Sequence, residues 1–249
     1  MPRNTVGAIT LAIVLCPAMA WAQALQQGPQ QPVVAVMNFT NSSLVDNATY
    51  EPFTVGLAGM LLSELRANPR VALIERERLN QVLEEVARGQ SGQIDPNTAA
   101  RVGKVLGAGH MIFGAFVIDR RGNLRIDARA VNVETSLVEH VETVTDDADN
   151  LLRAVQRLGR QLSERMHLPA SPARGETGRT LEEAKRGQVL ANLKYARALL
   201  EEDRNNAERA VQLYREFLAE SPPGYAPRQR EEAEARIRVL TASGSAEDG

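Results

Sequence analysis

The sequence is poor in the residues that several classes of protein require. One cysteine in 249 residues cannot form an internal disulfide or a cysteine-rich zinc site. Aromatic residues make up only 4% of the chain, which leaves few rings for stacking on bases or sugars. The formal net charge is −2, so the chain lacks the basic excess of a protein that grips nucleic acid. We therefore predict no nucleic-acid partner.

Long apolar runs are also scarce, and the one clear run lies near the start of the chain. Arg3 precedes the apolar stretch 6–19, and the Ala-Trp-Ala motif at 20–22 has the small-x-small pattern of a signal-peptidase site. The run is shorter than the ~20 residues that a helix needs to cross a bilayer. We predict a signal peptide over 1–22 and a mature chain that is soluble in the periplasm. The residues around Cys16 differ from a lipoprotein signal, so lipidation there is not expected.

Composition divides the remainder into two modules. The segment 23–32 is polar and carries proline and glycine, which predicts a flexible leader. A second break over 169–180 is rich in proline, glycine and small polar residues, and it separates the module 33–168 from a helical tail at 181–241. Residues 242–249 are expected to be disordered.

The first module alternates strand and helix patterns. Short apolar runs at 33–39 and 71–74 predict buried strands. Apolar residues at helical spacing predict a helix over 50–66 and another that ends at Gly89. The Asp95-Pro96 pair predicts the start of a third helix, because the carboxylate can accept backbone N–H groups in the first turn.

An antiparallel meander and a final helix complete this module. Residues 110–118 are strand-like, a tight turn follows at 120–123, and apolar residues alternate with charged ones over 124–130. The β-branched run 137–144 favours another strand, and an apolar stripe over 151–166 predicts a closing helix. The predicted fold is an α/β mixed sheet with packed helices in the order β-α-β-α-α-β-β-β-α, followed by a helical segment.

Four stretches of this module resemble the CsgG-like family. They are the opening strand VAVMNFTN, the segment LAGMLLSELRANPRVALIERERLNQVLEE, the segment AARVGKVLGAGHMIFGAF and the paired strands LRIDARAVNVETSLVEHVETV. The family includes the curli secretion channel, and LpoB and the TolB N-terminal domain share a similar fold. The resemblance covers about residues 33–166. It implies an exported protein that binds or assembles components of the cell envelope.

One departure from the family concerns pore formation. The curli channel inserts long amphipathic hairpins, whose strands need about 9 to 11 alternating residues to cross lipid. The two places that could hold such insertions, 91–95 and 119–123, are too short. We therefore expect a binding or assembly protein, and we keep an oligomeric outer-membrane secretion channel as the alternative.

The tail is predicted to form helices over 181–200, 207–220 and 228–240. Its resemblance to one tetratricopeptide repeat is partial and is carried by Ala198, Ala210, Tyr214 and Pro222. A single helical pair cannot bury its apolar face alone. We therefore expect the tail to dock on the first module, to pair with another copy, or to hold a partner peptide.

Motifs for chemistry are absent from the sequence. It has no metalloprotease, nucleophile-elbow or P-loop motif. His110 is expected to be a core or edge residue, and the alternating charges of 75–78 to form a solvated helix face. Asp146, Asp147 and Asp149 are expected to cap a helix rather than to bind a metal. No catalytic residue, cofactor or metal site is predicted.

Partner-binding candidates come from two places. A loop at the carboxyl end of a strand is a common docking position, which favours the polar loop 40–49. The tail adds aromatic residues of its predicted repeat. The candidate residues are Thr40, Asn41, Ser42, Ser43, Asn47, Tyr214 and Phe217. We expect a protein partner in the cell envelope, and we leave self-association and outer-membrane association open.

A cell-wall-acting enzyme is the third alternative. It would need carboxylates such as those of Glu84 or Glu85 for acid–base catalysis. Both are expected on the exposed side of a helix, which does not favour this alternative.

Overall fold

The computed structural model describes residues 31–44, 47–87, 95–169, 185–221 and 224–247. Several predicted segments therefore lie outside the described residues. These are the signal peptide, most of the leader, the loop 89–94, most of the linker at 169–180 and the start of the first tail helix.

The elements follow the predicted order. The strands are β1 (Val33–Asn41), β2 (Ala72–Leu73), β3 (His110–Ile118), β4 (Asn123–Asn132) and β5 (Val138–Asp147). The helices are α1 (Asn47–Tyr50), α2 (Phe53–Arg66), α3 (Arg76–Ala87), α4 (Pro96–Leu106), α5 (Leu151–Arg165), α6 (Lys185–Asp203), α7 (Ala207–Glu220) and α8 (Pro227–Glu247). The α/β class is confirmed. The structure adds the single turn α1 before α2 and a short 3-10 turn before α5.

One mixed sheet joins the five strands in the order β2-β1-β3-β4-β5. β1 runs parallel to β2 and β3, and β3, β4 and β5 form the predicted antiparallel meander. Buried apolar residues alternate with exposed charged residues along β4, so the sheet has one apolar and one polar side at this strand. Leu124 and Ile126 are buried, whereas Arg125 between them is exposed.

The start and end of α4 were predicted correctly from the residues at its two ends. The Asp95 side chain accepts the Thr98 N–H at 2.9 Å, as expected of a helix N-cap. Gly107 ends the helix with a left-handed φ of 70°, which glycine adopts without steric cost. At the end of the chain the expectation was wrong: α8 continues to Glu247, into the segment 242–249 that was expected to be disordered. Helix propensity did not indicate this continuation, because Gly244 between two serines disfavours a helix.

Two hydrophobic clusters lie on opposite sides of the sheet. The smaller joins β1 and β3 to α3 and α4, through residues such as Met37, Leu79 and Val102. The larger joins the other side of the sheet to α2 and α5, and continues without a break into α6 and α7. Tail residues such as Tyr195 thus belong to the same core as Val36 of β1. Of the three alternatives for the tail, this structure shows docking on the first module.

Helix α2 is buried on both sides because it lies between the sheet and α6. Eleven of its 14 residues are buried, which is the pattern of a helix enclosed by the protein interior. The approach to α6 is close: a methyl group added to Gly56 would lie 2.3 Å from Cβ of Ala196. Leu199 packs similarly against Gly59. The small residues of α2 therefore set the distance between the two helices.

Ion pairs surround this helix contact. Arg76 Nη2 lies 2.6 Å from Asp203 Oδ2 at the end of α6, and Arg76 Nη1 donates to the Val55 carbonyl oxygen at 3.0 Å. The Asp203 carboxylate also accepts from Asn80 (3.1 Å). The expectation of a fully solvated face over 75–78 is therefore wrong for Arg76, because its partner comes from the tail, 127 residues away in sequence.

Helix α8 adds further pairs to the same side of the molecule. Arg236 contacts the carboxylates of Glu202 and Glu77, and Arg66 lies 3.2 Å from Glu232. These side chains connect α8 to α2, α3 and α6. Charged groups that are partly buried in this way need such partners, because an unpaired charge there would be destabilising.

Asp146 joins β5 to α5. Its side chain is only 7% exposed, and its two oxygens lie 2.7 Å from Arg153 Nη2 and 2.9 Å from Arg157 Nη2. Neither Asp147 nor Asn150 makes a side-chain cap hydrogen bond, so the expected capping role of this acidic cluster is wrong. Burial alone would raise the pKa of Asp146, but hydrogen bonds led by that of Arg153 outweigh it and hold the pKa below its usual value.

Replacing Asp146 with asparagine tests this link. We expect the free energy of unfolding to fall by about 1–3 kcal/mol at neutral pH, since the charge-assisted hydrogen bonds from Arg153 and Arg157 are weakened. The carboxylate stabilises the fold above its unfolded pKa of about 3.9 and loses that effect as the pH falls through its lower folded pKa. Denaturant unfolding should therefore show the two proteins converging below about pH 4.

The control for this experiment is Asp147→Asn, since Asp147 is the exposed neighbour. It should change stability by less than about 0.5 kcal/mol. A constant difference between Asp146→Asn and the parent protein across this pH range would contradict the assignment.

Replacing Gly56 with alanine tests the close approach of α2 and α6. Alanine raises helix propensity by about 1 kcal/mol, but the added methyl group must push two rigid backbones apart, which typically costs about 1–3 kcal/mol. We expect a net loss of about 1–2 kcal/mol by urea unfolding. Gly159→Ala is the matched control, because its added methyl group would lie at an ordinary 3.4 Å from Glu64 Cβ. Gly56→Ala should be the less stable variant, and the reverse order would contradict the packing.

Candidate functional site

Two asparagines link the described residues on either side of positions 45–46, after β1. Asn41 Nδ2 donates to the Asn47 carbonyl oxygen at 3.0 Å, and Asn47 Nδ2 donates to the Ser43 carbonyl oxygen at 3.1 Å. The Asn41 side-chain oxygen accepts the Ser43 N–H at 3.0 Å. Asparagine side chains commonly close turns in this way. These three predicted candidates are therefore structural links within the loop.

Ser43 also ties this loop to β3. Its Oγ accepts the Ile118 N–H at 2.9 Å, and the Ser42 N–H donates to the Phe116 carbonyl oxygen at 2.8 Å. Ser43 is buried, whereas Thr40 and Ser42 are exposed. β1 extends to Asn41, so Thr40 and Asn41 belong to the strand and not to the predicted loop. Thr40 and Ser42 are exposed and can contact a partner, whereas the buried Ser43 anchors the segment to β3.

Leu44 follows this anchored segment and projects into solvent. Its relative exposure of 98% is the highest among the large apolar residues that the structure describes. A single exposed leucine is ordinary by itself. This one, however, lines a shallow depression together with residues of β3 and of the β3–β4 turn. Those residues are Val117, Ile118, Asp119, Arg120 and Arg121.

Asp119 gives the β3–β4 turn its shape. Its Oδ1 accepts the N–H groups of Arg121 (2.8 Å) and Asn123 (2.9 Å), and its Oδ2 accepts from Asn123 Nδ2 (2.7 Å). These hydrogen bonds, led by that of the Asn123 side chain, hold the pKa of Asp119 below its usual value. Gly122 closes the turn with a φ of 82°. The carboxylate is therefore committed to the turn, and the exposed Arg120 and Arg121 project from a fixed backbone.

We name this area the rim surface and define it by its exposed or partly exposed residues. They are Thr40, Ser42, Leu44, Val117, Arg120 and Arg121. An apolar side chain beside two guanidinium groups suits a ligand that presents an apolar group flanked by carboxylates. Sequence reasoning located the loop but missed Leu44 and the arginines. The Arg-Arg pair in a predicted exposed turn was the available signal.

The tail candidates Tyr214 and Phe217 are core residues, which corrects the expectation that they form a partner surface. Both have 0% relative exposure. Their rings pack against Tyr195 of α6, with centroid distances of 5.9 Å and 5.3 Å. Burial raises the pKa of the Tyr214 hydroxyl well above its usual value. The rings join α6 to α7 and are not accessible to a partner in this structure.

The remaining polar candidates are separated from one another. His110 begins β3, and its Nε2 lies 3.3 Å from Glu139 Oε2. Glu84 and Glu85 are exposed on α3. Among the described residues, no group of three or more His, Cys, Asp and Glu side chains is arranged to hold a metal ion. In the same part of the chain, no helix is both long and apolar enough to span a membrane.

Fold and site together define an α/β domain with an exposed surface that is partly apolar and partly basic. Residues 18–119 match the family described as curli production assembly/transport component CsgG. The predicted resemblance to the CsgG-like family is confirmed. The matched segment contains β1 and β3, the loop after β1 and the first residue of the β3–β4 turn.

Several solved structures are similar over about half of the chain. The C-terminal domain of LpoB from Escherichia coli is 13% identical, with 53% of this chain and 93% of that chain covered and a TM-score of 0.34. The PelC dodecamer from Paraburkholderia phytofirmans is 16% identical, with 57% and 91% covered and a TM-score of 0.32. TolB from Acinetobacter baumannii is 13% identical, with 55% and 28% covered and a TM-score of 0.35. No curated protein matches the sequence.

Proposed function

We propose that this chain is a noncatalytic periplasmic protein that binds or assembles a component of the cell envelope, with the rim surface as its contact site. One observation carries the proposal. The segment that matches a family described as an assembly and transport component contains the exposed loop after β1 and reaches the β3–β4 turn. Assembly proteins act by binding, and this is the chemistry that the rim surface offers.

The construction of the rim surface supports a binding role. The loop is tied to β3 by Ser43, and the turn is shaped by Asp119, so both segments keep their positions. A surface that is already ordered loses little conformational entropy when a partner docks. The positive charges of Arg120 and Arg121 favour a protein partner with acidic groups around an apolar side chain.

Export supports the periplasmic location. The sequence 1–22 has the charged, apolar and cleavage regions of a signal peptide. A mature protein released by such a cleavage meets envelope components directly. The noncatalytic assignment is part of the proposal: Asp119 is engaged by the turn, and the side chains of Glu84 and Glu85 lie in solvent on α3.

Site-specific photo-crosslinking tests the proposal. Leu44 is replaced by photoreactive benzoylphenylalanine in the exporting cell, and the envelope fraction is searched for discrete adducts. We expect an adduct at position 44 and none of the same mass at position 239, where Val239 is an exposed apolar residue of α8. Reversing the charge of Arg120 and Arg121 to glutamate should lower the yield about tenfold, because charge-assisted contacts are lost.

Two results would count against the proposal. One is the same set of adducts at positions 44 and 239, which would indicate nonspecific contact. The other is a yield at position 44 that does not respond to charge reversal at Arg120 and Arg121. Far-UV circular dichroism and a thermal melt on each variant exclude loss of the fold as the cause.

A further inference from the structure

β5 is the outer strand of the sheet, and it is unusually long for that position. It has 10 residues and pairs with β4 on one side only, whereas β2 at the opposite edge has 2 residues. An outer strand presents backbone N–H and C=O groups that can pair with another strand. Natural proteins usually protect such strands by shortening them, covering them or placing charges on them.

The outward-facing backbone groups of β5 can be identified. The Thr145 carbonyl oxygen accepts from Arg157 Nη2 of α5 at 2.9 Å, so it points away from β4. In an antiparallel ladder, alternate residues direct both backbone groups to the same side. Thr143 and Val141 therefore also direct their N–H and C=O groups away from β4, on the side where no other strand of the described residues pairs.

The exposed apolar residues of the described chain concentrate at this strand. Seven large apolar residues are exposed, and three of them, Leu137, Val138 and Val141, lie within five positions. Three of the four acidic residues of β5, namely Glu139, Glu142 and Asp146, have ionic partners within the chain, and the fourth, Asp147, is its last residue. Glu142 lies 3.2 Å from Arg165, and Asp146 is held by two arginines. The usual protection against strand pairing is therefore weak here.

We propose that β5 pairs antiparallel with β5 of a second copy of this chain, about a two-fold axis at Val141. In this register Val141 lies opposite Val141 of the second copy. Each residue then directs its backbone N–H and C=O groups at the other, as a hydrogen-bonded antiparallel pair requires. His140 then lies opposite Glu142 of the second copy, and the reverse pair forms on the other side of the axis. The two Val141 side chains, which are 58% exposed in one copy, bury apolar surface against each other at the axis, which is stabilising. The strand is thus complementary to itself, and the two sheets become one sheet of ten strands.

The proposal does not depend on the function assigned to the rim surface. The pairing involves only a few residues on each side, so we expect a weak dimer that forms at micromolar or higher concentration. An interface with one central apolar contact and few side chains falls at the small end of specific protein interfaces.

Sedimentation velocity on the full chain over a concentration series tests the pairing. Val141→Lys places a charge at the two-fold axis, where two like charges would face each other. Val239→Lys is the matched control, because Val141 and Val239 are 58% and 56% exposed. We expect the parent protein and Val239→Lys to dimerise equally and Val141→Lys to need at least about tenfold higher concentration. A parent protein that stays monomeric, or equal behaviour of the two variants, would overturn the proposal.

Disulfide trapping tests the register. Residues opposite each other in a hydrogen-bonded antiparallel pair have Cα atoms about 5.5 Å apart, within the range that a disulfide can bridge. In a chain carrying Cys16→Ser, Val141→Cys should form a covalent dimer under mild oxidation. Thr143→Cys should not form a covalent dimer. In this register position 143 faces position 139 of the second copy, so the two cysteines would be four positions and more than ~13 Å apart along the strand. Equal or better trapping at position 143 would overturn the proposed axis.

Discussion

The close contact between α2 and α6 determines how the rest of the structure is arranged. α2 packs on the sheet with its large residues and on α6 with Gly56 and Gly59, so it is buried on both sides. Without α6 its second side would face water with an apolar surface, which is unfavourable in proportion to the area exposed. With α6 in place, one hydrophobic cluster runs from β1 to the tyrosines of the tail. The tail is therefore part of the core.

Within the part of the chain that the structure describes, this arrangement leaves two parts of the sheet uncovered. The tail covers the α2 side of the sheet, and α3 and α4 cover much of the opposite side. The rim surface lies at the carboxyl ends of β1 and β3, where hydrogen bonds join the segment after β1 to β3. The outer side of β5 lies across the sheet from β2. A rigid core that presents exposed loops and an open strand is a common design for a binding protein.

Much of the first module could be predicted because its signals are local. Asp95 and Gly107 cap α4 through contacts within one turn, and the alternation along β4 reports directly which side is buried. Residues whose partners are distant in sequence could not be placed. Arg76 depends on Asp203, and nothing near either residue indicates the pair. Asp146 was expected to cap the helix that follows it, whereas its partners Arg153 and Arg157 lie 7 and 11 residues further along the chain, on the helix itself.

The candidate site was predicted in part for the same reason. The loop after β1 was found from its position, but Asn41, Ser43 and Asn47 proved to hold the loop, and Leu44 was overlooked. The sequence could not show whether Tyr214 and Phe217 belong to the core or to a partner surface. Helical spacing predicts which side of a helix is apolar, but it does not predict what packs against that side. One signal was available for the docked tail. The small residues Gly56, Gly59 and Ser63 form a second stripe on α2, which predicts a closely packed helix.

Native-state hydrogen exchange on the full chain tests the central claim, that the tail and the first module share one core. If they do, the slowest amides of α2, around Leu61, and of α6, around Ala196, exchange with the same free energy of opening, equal to that of global unfolding. Both should also respond equally to added denaturant. Amides of α6 that open at a free energy lower by more than about 2 kcal/mol, while those of α2 stay protected, would show that the tail unfolds on its own and would contradict the account.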